Sequence, residues 1–152
     1  MAAGRVAAVA RVHAHFHLDE DIEKVAVLTY LRRLCEDLSG ILGVPIVVDG
    51  GAGELPTTAI QPVGLIVNEL VTNAAKHGAG KVTVHYNGED GCKLTVCDEG
   101  EGLSEDFDAK TSARGLGMKI VHVLAQQLGG RVTAGANPAG RGACFVVTLP
   151  VN

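Results

Sequence analysis

Asn68-Glu69-Leu70-Val71-Thr72-Asn73-Ala74-Ala75-Lys76-His77 is the stretch on which the fold turns. Val63, Val67, Leu70, Val71 and Ala74 recur at helical spacing and predict an amphipathic helix. With Glu69 as the reference direction at about 100° per residue, Asn73 lies at roughly +40°, Lys76 at roughly −20°, Thr72 at about −60° and His77 at about +80°. These residues form one polar stripe, with Asn68 on its flank and the apolar residues opposite. A solvated helix face is the usual explanation of such a stripe. Two details weigh against it. Asn is a poor helix-interior residue, yet Asn68 and Asn73 both fall mid-helix. The stripe also lacks the Glu, Lys and Arg mixture of a solvated face. An Asn one turn after a Glu suits a hard cation beside an acceptor group. The amide oxygen can ligate Mg2+, and the carboxylate can orient or deprotonate a nucleophile.

Working outward, Thr57 or Thr58 is placed to cap this helix, Pro62 falls in or just after its first turn, and Gly78 is its expected stop. Two alternating runs follow, residues 81–87 and 92–97, separated by a turn at 87–91, and they predict a hairpin. Asp98-Glu99-Gly100-Glu101-Gly102 comes at the end of the second run. Asp98 can accept a hydrogen bond from an exocyclic amine, and the glycines let backbone approach a ligand closely. An acidic strand-terminating turn is the plain alternative. Residues 99–114 read as a loop. Arg114-Gly115-Leu116-Gly117 then opens a helix from 115 to 128, whose free N–H groups favour phosphate; a flexible loop before a helix is the plain alternative. The glycines complete neither GxGxxG nor GxxxxGK[ST], so a nucleotide site here needs another fold.

Upstream, Val27 to Leu42 reads as a helix with Leu28, Leu31, Leu34, Cys35, Leu38 and Leu42 on one face, stopped by Gly43. Residues 46–48 read as a strand ended by Asp49-Gly50-Gly51, and residues 5–17 as an earlier helix. The tail, 131–135 and 143–149, reads as a final hairpin. Helices are too few for a doubly wound sheet, and neighbouring strands are joined by short turns. The expected class is α+β: a two-layer sandwich of a mixed, mostly antiparallel sheet with helices on one face.

At 152 residues, 47% apolar and 20% charged, the chain is long and apolar enough for one domain with a core, which excludes a disordered segment. A net charge of −4 gives no electrostatic case for nucleic acid. No apolar run approaches the ~20 residues that span a bilayer, so no membrane contact is expected of this segment. Cys35, Cys92, Cys97 and Cys144 lack CxxC spacing and a suitably placed His pair. They read as reduced, buried thiols, and therefore as cytoplasmic. His13, His15 and His17 point in different directions on a helix, which argues against a metal cluster. His85 and His122 read as structural.

Residues 68–77, 98–102 and 114–117, in this order and spacing, resemble the N, G1 and G2 boxes of the ATP-binding domain shared by gyrase B, heat-shock-90 chaperones, histidine kinases and MutL (the GHKL superfamily). The likeness is greatest to sensor histidine kinases of the HisKA_2/HWE-like group, in which a dimerisation helix leads directly into the ATP domain. Residues 142–150 resemble the family's closing strand, and residues 5–13 and 27–34 the end of the dimerisation helix and the first helix of the ATP domain. The resemblance implies a Bergerat-type fold, with residues 1–18 ending the second dimerisation helix and 19–152 forming the catalytic domain. It implies ATP and Mg2+ as ligands. Asn73 would hold Mg2+ and Asp98 would read the adenine amine. Gly100 and Gly102 would hold the adenine end, Lys76 and His77 would face phosphates, and Arg114, Gly115, Leu116 and Gly117 would wrap them. Asn68 joins the same ATP-binding set, Glu69 would polarise the attacking group or metal-bound water, and 103–114 would be the lid.

Two departures stand out. Ala143 replaces a frequent Thr, which removes a hydroxyl from the adenine end. The group's phosphoacceptor motif, His-Arg-x-Lys-Asn, is absent from this chain and in such proteins lies upstream. The expected function is therefore a catalytic domain that donates the γ-phosphate of Mg·ATP to a histidine outside the chain. Its partners would be the kinase's dimerisation and phosphoacceptor domain and, indirectly, a response regulator. A serine kinase acting on an anti-anti-sigma partner and a non-catalytic interaction domain of the same fold are the alternatives.

Overall fold

The computed structural model describes residues 24–89, 91–101 and 116–150. Expectations for residues 1–18, for the three N-terminal histidines, for the lid at 103–114, and for Gly102, Arg114 and Gly115 lie outside the described residues. So does the side chain of Leu116.

The elements run β1 (Lys24–Ala26), α1 (Val27–Leu42), β2 (Ile46–Gly50), β3 (Glu54–Pro56), α2 (Thr57–His77), β4 (Val82–Asn87), β5 (Cys92–Cys97), α3 (Leu116–Gln127), β6 (Arg131–Ala136) and β7 (Ala143–Leu149). Five strands form one sheet in the order β2-β4-β5-β7-β6. Only β2 and β4 are parallel; the other pairs are antiparallel. The single parallel pair follows from connectivity, because α2 lies between β2 and β4 and carries the chain back across the sheet.

Strand alternation sets the layers. Val82, Val84 and Tyr86 of β4, Leu94 and Val96 of β5, and Phe145, Val147 and Leu149 of β7 are buried together with the apolar faces of the helices. Thr83, His85, Lys93, Thr95 and Thr148 alternate with them on the more exposed outer face. Helix α1 buries Leu31, Leu34, Cys35 and Leu38 of the predicted stripe together with Val27 and Tyr30, while Leu28 and Leu42 pack partly buried against the core. Each such large side chain contributes roughly 1.5–3 kcal/mol. Gly43 closes the helix in a left-handed conformation, its N–H donating to the Ser39 carbonyl at 2.9 Å.

Four expectations need correcting. Strands β1 and β3 pair antiparallel in a separate two-stranded sheet that the sequence did not announce. Because β3 runs into α2, Pro56 occupies the N-cap position, and neither Thr57 nor Thr58 supplies a side-chain cap. Pro62 consequently sits inside the helix, past the first turn. Finally, the cysteines are not all reduced: Cys97 and Cys144 are disulfide-bonded across β5 and β7, while Cys35 and Cys92 are free and buried as expected. Strand register brings the pair together, and a sequence separation of 47 gave no spacing signal. Among the described residues, no helix is long and apolar enough to cross a membrane.

Burial pushes the Cys35 and Cys92 thiols and the Tyr30 hydroxyl up to about 12. The folded protein therefore holds these protons through a window in which the unfolded chain, with thiols near 9.0, releases them. Folded pKa values above the unfolded ones mean that the stabilisation is complete below about pH 9 and is lost as pH rises toward 12. We expect the urea midpoint to be insensitive to these groups between pH 6 and 8. Above pH 9 it should fall, as the unfolding free energy drops by about 1.4 kcal/mol per pH unit for each thiol ionised only in the unfolded state. A midpoint that stays flat to pH 11 would contradict this burial.

Candidate functional site

The polar stripe of α2 is not a solvated face. Asn68 and Thr72 are 1% exposed, Asn73 5% and Glu69 7%. Lys76 and His77, in the last turn, are exposed and complement the C-terminal end of the helix dipole. Thr72 satisfies its hydroxyl by donating to the Asn68 carbonyl at 2.7 Å. The amides fare differently. Among the described residues, Asn73 Nδ2 and both amide atoms of Asn68 are buried without a hydrogen-bond partner. Each orphaned polar group costs about 1–3 kcal/mol, a cost that folds rarely retain without a use for the group.

Helix α3 presses its first turn onto this stripe. A Cβ built on Gly117 would lie 2.5 Å from Glu69 Oε2 and 3.9 Å from Asn73 Nδ2. A side chain at 117 would thus push the Glu69 carboxylate aside, and with glycine there the glutamate and amide lie against the N-terminal end of α3. Asn68 lies about 140° round the helix from Asn73, so it flanks this group and does not join it.

The second half of the site hangs on Asp98, which is 3% exposed. Its Oδ1 accepts from the Gly100 N–H at 2.9 Å and the Ala143 N–H at 3.2 Å. Its own N–H donates to the Ala143 carbonyl at 3.0 Å, and its carbonyl accepts from Asn137 Nδ2 at 2.9 Å. Both of these bonds fall on Oδ1 of the carboxylate. Three glycines make room. Side chains at Gly78 or Gly142 would overlap Asp98 itself, and a Cβ at Gly100 would lie 2.7 Å from Gly78 Cα. The role of Gly78 is therefore close approach. Its φ of −99° is not the left-handed stop that its position after the helix suggests.

Asp98 packs on Gly78, immediately after the helix that carries Glu69 and Asn73. Gly78 follows Asn73 by five positions, an axial rise of about 7.5 Å. One helix thus links an acceptor carboxylate at its C-terminal end to a carboxylate–amide pair under a helix N-terminus. That arrangement suits an elongated ligand with an amine at one end and anionic oxygens at the other.

Two contributors had no part in the sequence reading of this end. Asn137 carries no motif signal, since its Oδ1 makes an ordinary turn contact to the Ala139 N–H while its Nδ2 reaches Asp98. Gly78 looked like a helix stop and nothing more. Of the two remaining histidines, His85 pairs with Asp49 on the outer face at 2.5 Å, and His122 is half-buried on α3 with Nε2 unpartnered.

Residues 58–152 match the family described as histidine kinase-, DNA gyrase B-, and HSP90-like ATPase. Blue-light-activated histidine kinase 1 of Erythrobacter litoralis is 28% identical over 97% of this chain and 42% of its own length. Sensor histidine kinase ZraS of Escherichia coli K12 is 35% identical over 51% of this chain and 18% of its own length. The chain thus spans less than half of either relative. Among solved structures, the Erythrobacter litoralis EL346 blue-light activated histidine kinase superposes with a TM-score of 0.82 and 26% identity, covering 98% of this chain and 53% of that one.

Proposed function

This chain belongs to the histidine kinase-, DNA gyrase B- and HSP90-like ATPase family, and on that premise we propose that it is the Mg·ATP-binding catalytic domain of a cytoplasmic two-component sensor histidine kinase. It donates the γ-phosphate to a histidine outside these 152 residues, on the kinase's dimerisation and phosphoacceptor domain, and serves a response regulator indirectly. The observation that carries the reading is the buried amide of Asn73, its Nδ2 without a partner among the described residues, beside Glu69 under the first turn of α3, with Asp98 packed on Gly78 at the C-terminal end of the same helix.

Asp98 Oδ2 accepts from the adenine amine, and Gly78, Gly100 and Gly142 let the base close on the backbone. Gly102, Arg114 and Gly115 serve the ligand from the segment between β5 and α3, Leu116 and Gly117 from the first turn of α3, while Lys76 and His77 meet phosphate from the exposed last turn of α2. Asn68 supports the set from its flank.

The residues present fit Mg2+ in one particular way. Among the described residues there is no cluster of three His, Cys, Asp or Glu to hold a metal alone. Mg2+ typically takes one or two protein oxygens, with phosphates and water completing its shell. Asn73 offers its amide oxygen to that shell, and Glu69 orients the attacking group or a bound water. When bound, the ion neutralises charge on the transferring phosphoryl group. The chain's own work is positioning and exclusion of water, which suits a reaction with little covalent chemistry for the protein.

The test is calorimetric titration with ATP, with and without Mg2+. Wild type should bind more tightly with Mg2+. Asn73→Ala should lose about tenfold with Mg2+ and little without it, the worth of roughly one charge-assisted ligand contact. Incubated alone with labelled ATP, the chain should show no phosphohistidine; adding a separate phosphoacceptor helix should produce it. Wild type that fails to bind ATP sinks the reading.

A further inference from the structure

We propose that Cys97 and Cys144 form a thiol–disulfide modification site that sets nucleotide affinity through Asp98. The inference rests on the ATP-binding reading and adds to it a chemical input.

Position carries the case. Cys97 immediately precedes Asp98, and Cys144 immediately follows Ala143. The two cysteines are register partners across β5 and β7. The next rung along is the one that holds the site: Asp98 N–H to the Ala143 carbonyl, and Ala143 N–H to Asp98 Oδ1. Beyond that rung the strands end, since β5 stops at Cys97 and β7 starts at Ala143. The disulfide is therefore a covalent clasp on the last rung of a ladder whose end carries the adenine-reading carboxylate. Because successive side chains alternate, the sulfurs lie on the outer face while Ala143 packs on the helix side. With the clasp closed, Asp98 is held ready for ligand. With it open, the end of β5 is held by hydrogen bonds alone, and Asp98 is less firmly fixed.

Access agrees with this role. Both cysteines border an open groove of about 690 Å³ on the outer face, with Thr83, Thr95, Thr133 and Val146. Cys97 is half-buried and opens on this groove, which Asp98 also borders, so a small thiol or disulfide reaches the pair from solvent. Cys35 and Cys92 are enclosed in the core and are silent to the same reagents. A cytoplasmic setting favours disulfides that are transient and redox-sensing over permanent ones.

The chemistry is thiol–disulfide exchange with a low-molecular-weight disulfide as oxidant. One cysteine gives up its proton and its thiolate attacks the reagent, breaking the reagent S–S bond and releasing one reagent thiolate. The second cysteine gives up its proton and attacks the mixed disulfide. The Cys97–Cys144 bond forms and the second reagent thiolate leaves. The two leaving thiolates take up the two protons. Two cysteine thiols are oxidised and one reagent disulfide is reduced to two thiols; excess small thiol drives the reverse.

The experiment uses the wild-type chain equilibrated with either reduced or oxidised glutathione. Cysteines are counted by mass after alkylation in denaturant, and ATP is titrated into each form. Two alkylated cysteines are expected after oxidation and four after reduction. The oxidised form should bind ATP about 3- to 10-fold more tightly, the worth of roughly one net hydrogen bond. Cys144→Ser and Cys97→Ser should bind like the reduced wild type in both buffers. Four alkylated cysteines after oxidation, or equal affinity in the two forms, overturns the proposal. If neither form binds ATP, the nucleotide reading fails and this coupling fails with it, an outcome distinct from equal binding.

Discussion

Replacing Asp98 with Asn is expected to lower ATP affinity by about 100-fold while leaving the fold intact. The substitution is nearly isosteric. The amide oxygen can keep both bonds that Oδ1 accepts, from Gly100 and Ala143. The atom that changes is the other one. An NH2 in the place of Oδ2 turns an acceptor into a donor, facing an adenine amine that also donates. The site loses a charge-assisted hydrogen bond and acquires two donors with nowhere to go, a cost of about 3 kcal/mol in a buried place. A purine nucleotide with a carbonyl in place of that amine should lose far less, so the preference for ATP over GTP should shrink. Calorimetry with both nucleotides reads the affinity, and a thermal melt without ligand checks the fold. Undiminished ATP binding by Asp98→Asn would remove Asp98 from the adenine end.

Gly142→Ala is expected to destabilise the protein by about 3 kcal/mol or more, lowering the melting temperature by roughly 10 °C. Two independent causes coincide. Gly142 has a φ of +120°, a conformation that L side chains rarely adopt, and a Cβ there would overlap the Asp98 carbonyl. That carbonyl is held by Asn137 and cannot move aside without breaking the bond. Gly135→Ala is the control, since it lies in the neighbouring strand β6 with open space where its Cβ would stand. It should melt within a degree or two of wild type. Equal melting of the two variants would mean that the close approach of residue 142 to Asp98 does not exist in solution.

Much of the chain was legible because its signals are local. The spacing of Leu31, Leu34 and Leu38 places α1 to the residue, and the alternation of 82–87 and 92–97 places the hairpin. Strands β1 and β3 escaped because three residues show no period, and their partners lie 30 residues apart. The same omission misassigned the cap of α2, whose N-terminus is fixed by the incoming strand. Asn137 and the Cys97–Cys144 pair escaped for a related reason, since their meaning comes only from what lies across the sheet.

The sequence by itself determined the order of the described helices and of the five strands of the main sheet, the polar stripe from Asn68 to His77 and the acid-glycine run that begins at Asp98. Periodicity, turn chemistry and box spacing are properties of neighbouring residues and survive without a fold. Only the tertiary structure decided that the stripe is buried and not solvated, that Gly78 and Gly142 serve close approach to Asp98, and that Cys97 and Cys144 meet beside it. Burial and strand register are set by contacts between residues far apart in the chain, and those contacts exist only once the sheet and its helices have packed.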